Sequence, residues 1–311
     1  MEKLAPIVLF VYNRLWHTKQ TVEALKKNTL ALQSKLIVFS DAPKTKEQKQ
    51  SVDEVREYIK TIDGFKTINL IRREKNYGLA KSFIEGTTEI VNKYGMMIGV
   101  EDDNVTSKFF LEYMNWALKT YEKEKRVMCI SGFCPPIKNN LPETFFLRGA
   151  DSWSFAIWRR SWNLIEWDPI KLLEQIEKMR LEKYMKKDAM TDYHKLLKEY
   201  IAGEHDSWSS RFYTSVIINN GFTLFPKRPL TKNIGMDNTG VHCNGLDPKV
   251  QELYDSDIAY NKVKMKKHEN FVHNNEALAF FKTFFRKTKG SIFLRAKGKI
   301  RYFINRIWKN G

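Results

Sequence analysis

Three consecutive acids, Glu101-Asp102-Asp103, follow directly on the apolar run Met96-Met97-Ile98-Gly99-Val100. Adjacent carboxylates repel unless a cation or hydrogen-bond donors compensate them. Hard oxygen ligands at a strand end suit Mg²⁺ or Mn²⁺ shared with the phosphates of a substrate. The competing reading is an acidic cap on a helix beginning near Thr106-Ser107, which the helix dipole would favour. Company favours the first: Asn13-Arg14, Asp41 and Asn76-Tyr77-Gly78 also stand at the ends of apolar runs, and a cap requires no such partners. Asn76 to Lys81 has the form of a glycine turn at a helix N-terminus with a base one turn in, a cradle for an anion. It is not Gly-x-Gly-x-x-Gly, and the P-loop pattern occurs nowhere, so neither a dinucleotide fingerprint nor a P-loop is supported.

Four of the eight Trp lie between Trp153 and Trp167. Trp158 and Trp162 are spaced as one helical turn and predict core packing, whereas Trp153 stands among polar residues, where a rigid ring suits the apolar face of a sugar. His205-Asp206-Ser207-Trp208 opens a patterned helix with Trp208, Phe212 and Val216 on one face. Asp206 is a competent N-cap, and a carboxylate held there is also competent as a general base; Glu204 and Asp237 are alternatives for the base. Asn233 to His242 is turn-rich with a single His, and His242 becomes a metal ligand only with a spatial neighbour such as Asp103.

These residues need a frame. Apolar runs alternate with helical patterns at intervals of about thirty residues, the rhythm of βαβ units and a mainly parallel sheet. Strands are predicted over Pro6 to Tyr12, Lys35 to Ser40, Phe65 to Ile71, Met96 to Val100 and Arg126 to Ser131. Helices are predicted over about Trp16 to Asn28, Lys46 to Thr61 and Leu79 to Asn92, the last stopped at Gly95, with another from near Thr106. Thr144 to Arg148 reads as an antiparallel strand, Ile170 to Asn220 as helix-rich with a break at Ala202-Gly203, and Gly221 to Phe225 as a further strand. Pro226 to Asn244 has no period and reads as a long functional loop.

The chain has 311 residues and a formal charge of +17 from 53 Lys and Arg against 36 Asp and Glu. Ten of those bases and no acid lie in Phe281 to Gly311, leaving +7 on the first 280 residues. The charge is thus mostly a property of the tail, whose bases interleave with apolar residues as in an interfacial segment facing anionic lipid. Helix-turn-helix spacing, zinc-finger ligands and RNA-recognition motifs are missing, so nucleic acid is not the expected partner. No run approaches the ~18 apolar residues of a membrane span, and Leu4 to Tyr12 lacks the flanks of a signal peptide. Cys129, Cys134 and Cys243 are odd in number and form no Cys-x-x-Cys pair, which argues against a disulfide framework or structural zinc.

Taken in order, Phe10-Val11-Tyr12-Asn13-Arg14, Phe39-Ser40-Asp41-Ala42-Pro43-Lys44, Asn76-x-Gly78-Leu79-Ala80 and Glu101-Asp102-Asp103 resemble nucleotide-sugar-dependent glycosyltransferases of the A-type fold. In particular they resemble bacterial enzymes distantly similar to N-acetylglucosaminyltransferase I, over roughly residues 5 to 245. The resemblance implies a Rossmann-like, mainly parallel sheet with flanking helices. It divides the chain into a catalytic domain 1–245 (nucleotide-sugar half 1–131, acceptor half 132–245), a helical extension 246–280 and a basic tail 281–311. It implies that Asn13, Arg14 and Asp41 hold the nucleoside, with Asn76, Gly78, Lys81, Glu101 and Asp102 around the donor. Asp103 and His242 would hold Mn²⁺ or Mg²⁺, Asp206 would be the base, and Gly149, Asp151, Trp153 and Glu204 would face the donor sugar and acceptor. The implied reaction is inverting transfer from a UDP-sugar to a glycan or lipid-linked acceptor in surface polysaccharide synthesis, on the cytoplasmic face of the membrane. One departure stands out: related sequences often have Gly and Ala where this chain has Ser154 and Phe155. Sugar-phosphate nucleotidyl transfer is the other enzymatic reading, disfavoured by the lack of a Gly-rich, Arg- or Lys-bearing loop after the first strand.

Overall fold

The computed structural model describes residues 3–188, 191–204, 207–237, 239 and 252–288. Its elements, in order, are β1 (Ile7–Val11), α1 (Leu15–Lys26), β2 (Lys35–Ser40), α2 (Lys49–Lys60), β3 (Thr67–Arg72), α3 (Gly78–Tyr94), β4 (Met96–Glu101), β5 (Asn104–Thr106) and α4 (Phe110–Thr120). There follow β6 (Val127–Ser131), β7 (Thr144–Arg148), β8 (Phe155–Trp158), α5 (Arg159–Trp162), α6 (Pro169–Lys178), α7 (Tyr193–Ile201), α8 (Trp208–Ile218), β9 (Phe222–Pro226), β10 (Thr231–Asn233) and α9 (Asn275–Thr288).

Eight strands form one sheet in the order β3-β2-β1-β4-β8-β6-β9-β7. β1, β2, β3, β4, β6 and β9 run in one direction, and β8 and β7 run against them. The expected Rossmann-like, mainly parallel α/β sheet is present. β1 is buried along its whole length because both faces are covered: Ile7, Leu9 and Val11 meet Val22, Leu25, Val55 and Ile59 of α1 and α2, while Val8 and Phe10 meet Phe83 and Ile90 of α3. A strand buried on both faces must be continuously apolar, as Ile7–Val11 is. β3 alternates exposed and half-buried positions, as an edge strand should.

Two local expectations hold with their reasons visible. Gly95 ends α3 in the left-handed conformation at φ +86°. Thr144–Arg148 is antiparallel to β9.

Others need correction. Trp158 is not on a helix with Trp162: it ends β8, a strand inserted between β4 and β6 and missed because Phe155-Ala156-Ile157-Trp158 is apolar throughout and shows no alternation. Both rings are buried all the same. The helix expected from Thr106 begins at Phe110, because Asn104–Thr106 pairs antiparallel with Thr231–Asn233. That strand also interrupts the segment expected to be a structureless loop. Phe281 and Phe284 do not face a membrane; they are fully buried on α9 against Phe133, Phe145, Phe225 and Tyr254. Among the described residues no helix is long and apolar enough to cross a membrane.

Candidate active site

The order β3-β2-β1-β4 makes the chain cross from one side of β1 to the other, so β1 and β4 flank a switch point, where open α/β sheets bind ligands beyond their carboxyl ends. Arg14 follows β1 and the acidic triplet ends β4. Arg14 Nη2 reaches Asp103 Oδ2 at 2.7 Å and also pairs with Asp102 Oδ1, while Nε reaches Asp102 Oδ2 at 3.4 Å. The cation that three adjacent carboxylates require is therefore a side chain of this protein, carried by the neighbouring strand.

The rest of the Asp103 environment comes from far along the sequence. Asn233 Nδ2 donates to Asp103 Oδ1 at 3.1 Å, Ile234 N donates to Asp103 O at 2.8 Å, and Asn104 Nδ2 lies 3.3 Å from Oδ1. Pairing of β10 with β5 sets Asn233 opposite Asn104. Gly235 then passes so close that a Cβ there would overlap Asp103 Oδ2 and crowd Arg14 Nη1. The loop is pinned to α1 by His17 Nε2 and Asp237 Oδ2, 2.9 Å apart. Glu101 accepts a hydrogen bond from the Trp208 indole at the start of α8.

One guanidinium does not neutralise three acids. Burial, reinforced by Asp103 and Asp102, pushes the Glu101 carboxyl up to about 8, and burial pushes Asp102 up to about 6 against the pull of Arg14. Burial acts to lower the Arg14 pKa, but the two carboxylates outweigh it and raise it. The helix-cap reading of the triplet fails, since α4 begins seven residues beyond Asp103.

This donor set fits a divalent cation in one particular way. Among the described residues no three His, Cys, Asp or Glu side chains converge as a metal cage. Asp103, a hard oxygen donor at the strand end, instead suits Mg²⁺ or Mn²⁺ held by one carboxylate and completed by substrate phosphates and water. Arg14 Nη1 is buried beside it without a partner, a donor available to such a phosphate.

The turn at Asn76-Tyr77-Gly78 departs from expectation. Asp41, buried at the end of β2, accepts from Tyr77 N at 2.9 Å and Gly78 N at 2.9 Å, as well as from Ala42 N. The anion at the start of α3 is thus Asp41 itself, and a phosphate cradled there would meet its carboxylate. Asn76 Nδ2 donates to Ala42 O at 2.6 Å, and Lys81 lies over the Tyr77 ring and toward Glu85. Asn13 stands partly exposed between β1 and α1.

The 149–154 loop reaches the same edge because β8 runs antiparallel to β4, with Phe155 opposite Gly99. Gly149 takes φ +97° with the Tyr213 ring directly beneath, where a Cβ would collide. Ser131 Oγ donates to Asp151 Oδ2 at 2.5 Å, and burial pushes the Asp151 carboxyl up to about 6. Trp153 is edge-on to Phe133 and Tyr254. Ser154 has φ +48°, a conformation that glycine adopts more readily, and a buried hydroxyl without a partner.

Glu204 is exposed after α7, and Asp237 is engaged by His17 and Thr239. Asp206, His242, Cys243 and the tail beyond Thr288 lie outside the described residues. Ser207, one residue after Asp206, is the N-cap of α8 and accepts from Ser209 N. Sequence reasoning assigned no role to Asn233 or Gly235, because only the β5–β10 pairing brings them to Asp103.

No protein-family model matches this sequence, and no curated protein matches it. Among solved structures, residues 1–349 of S. aureus TarS align at 11% identity and TM-score 0.42 over 75% of this chain and 61% of that one. The same fragment in complex with UDP-GlcNAc aligns at 10% and 0.41, over 74% and 58%. The mannosyltransferase PcManGT from Pyrobaculum calidifontis, in complex with GDP-Man and Mn²⁺, aligns at 11% and 0.34, over 56% and 46%. At such values the functional reading rests on the site itself, where Arg14 and the acidic triplet meet across the β1–β4 switch point.

Proposed function

We propose that this protein is a glycosyltransferase that moves a sugar, with inversion, from a nucleoside-diphosphate sugar to a hydroxyl of a glycan or lipid-linked acceptor in surface polysaccharide synthesis. UDP-sugars are the preferred donors. The observation that carries the reading is the Arg14 contact to Asp102 and Asp103 across the switch point, with Arg14 Nη1 left unpaired. It sets a guanidinium with a free donor beside hard carboxylate oxygens at one sheet edge, the two kinds of group that a metal-bound diphosphate would use.

In this reading Arg14 Nη1 donates to the donor's diphosphate, and Asp103 would hold a divalent cation. Bound there, Mn²⁺ or Mg²⁺ would neutralise charge on the departing nucleoside diphosphate. The acceptor oxygen forms its bond to the anomeric carbon as the bond from that carbon to the phosphate oxygen breaks, and the acceptor's proton passes to Asp206. Asp206 is read as the base from the sequence resemblance, and Trp208, two residues after it in the chain, bonds Glu101 through its indole. Asp151 and Trp153 line the acceptor side. Seven bases and no acid follow Thr288, and this basic segment holds the enzyme peripherally on the anionic inner face of the membrane.

Titration calorimetry with UDP, with and without Mn²⁺, tests the reading. Metal-dependent binding in the wild type and its loss in Asp103→Ala are expected. Binding that ignores both the metal and the substitution would refute it.

A further inference from the structure

A basic stretch of the folded chain has no part in the site above. From Lys262 to Lys266 the side chains alternate: Val263 is buried in the core and Met265 half-buried, while Lys262, Lys264 and Lys266 are exposed, with exposed Lys267 next to them. That is the period of extended chain lying on a surface, and it turns three lysines to one side. Lys262 lies 3.6 Å from Glu112. Lys108, Lys264, Lys266 and Lys267 have no acidic partner among the described residues. Aromatic rings interleave with these bases. Lys108 Nζ lies 4.4 Å from the centre of the Tyr260 ring and 4.9 Å from that of Phe109, and Lys262 Nζ covers Phe109 at 4.4 Å. Tyr260 is 74% exposed, although a ring of that size is ordinarily more buried than not.

The stretch is fastened to the frame of the crevice. Ser107 Oγ donates to Asn261 O at 2.6 Å, Lys108 N donates to Ala259 O at 3.1 Å, and Asn261 Nδ2 donates to Pro229 O at 2.9 Å. Ser107 follows β5 and Pro229 precedes β10, the pair that brings Asn104 and Asn233 to Asp103. Lys264 N donates to Glu143 Oε2 at 3.0 Å. Glu143 precedes β7 beside the end of the parallel strand β9, on the edge where the crevice opens. Unpaired lysines around an exposed aromatic ring suit an anionic lipid surface, whose phosphates meet the ammonium groups while the ring enters the headgroup layer. A soluble polyanion would use the charges and leave Tyr260 idle.

We propose that Lys108, Tyr260, Lys262, Lys264, Lys266 and Lys267 form a membrane-docking face that acts together with the basic tail and turns the crevice toward an anionic bilayer. This rests on the peripheral-membrane part of the function proposed above and deepens it by naming the folded surface. Stable anchoring of a peripheral protein takes two signals, so the tail and this face are each necessary.

The test is co-sedimentation of the full chain with vesicles of phosphatidylcholine, alone or mixed with phosphatidylglycerol. It compares wild type, Lys264→Gln/Lys266→Gln/Lys267→Gln, Tyr260→Ser and a control, Lys171→Gln/Lys178→Gln/Lys195→Gln, on α6 and α7. The first triple variant should lose roughly a hundredfold in affinity for the anionic vesicles, about fivefold for each lysine at the surface. Tyr260→Ser should weaken binding severalfold, and the control should bind as wild type does. Metal-dependent titration with UDP should be the same for all four proteins, which checks that each is folded. Unchanged vesicle binding in the first triple variant, an equal loss in the control, or a lysine effect on soluble polyphosphate with none of Tyr260→Ser on vesicles would overturn this face alone. A wild type indifferent to anionic vesicles would overturn the peripheral-membrane reading with it, and the UDP titration judges the donor reading separately.

Discussion

Asp151→Asn should make the protein more stable at neutral pH and less active. The Asp151 carboxyl is pushed up to about 6 by burial, which outweighs the bonds from Ser131 and the backbone amides of Ser152 and Trp153. Unfolded, it would titrate near its ordinary value, about 3.9. Between those two values the folded state binds more protons than the unfolded one, so this residue's contribution to stability falls as pH rises from about 4 to about 6 and is flat above. Two units correspond to about 3 kcal/mol; because the side chain is only partly buried, we expect about 2 kcal/mol after allowing for solvent screening. Asn keeps an oxygen for Ser131 and carries no charge to desolvate. Urea unfolding at pH 4 and pH 8 should therefore show the stability of Asp151→Asn relative to wild type rising by about 2 kcal/mol between the two pH values. Donor affinity should persist while transfer falls. A stability difference independent of pH, or one that shrinks toward pH 8, would refute the argument that this carboxylate is held at a cost.

Two further outcomes follow from the packing. Ser154→Gly should raise the urea midpoint, by about 1–2 kcal/mol in stability, because it relieves a left-handed side-chain-bearing residue and removes a buried hydroxyl without a partner; an unchanged or lowered midpoint would contradict this. Truncation after Thr288 should release the protein from anionic vesicles with its melting temperature unchanged, whereas Phe281→Ala, which empties a fully buried site, should cost about 3–5 kcal/mol. If Phe281→Ala melted like wild type and only lost vesicle binding, the placement of α9 in the core would be wrong.

The strands and helices from β1 to β4 were legible in the sequence because each carries its own signal: a run apolar on both faces, a one-faced period, a glycine stop. β8 was not, since four apolar residues without alternation show no period. β5 and β10 are three residues each, and pairing across more than 120 intervening residues makes them strands. Phe281 and Phe284 stand among bases in the sequence, where burial and lipid contact leave the same pattern. Only the apolar floor of Phe133, Phe145 and Phe225 distinguishes them.

The site divides in the same way. The sequence by itself determined that carboxylates, an Arg, an Asp and a glycine turn stand at the ends of successive parallel strands, because strand ends follow from local periodicity and parallel βαβ order brings them to one edge. Tertiary structure decided which of them meet. It set Arg14 on Asp102 and Asp103, turned Asp41 onto the amides of Tyr77 and Gly78, and brought Asn233 to Asp103. Hydrogen bonds and ion pairs depend on distances of a few ångströms between residues far apart in the chain, and no residue type or spacing carries that information until the sheet has closed.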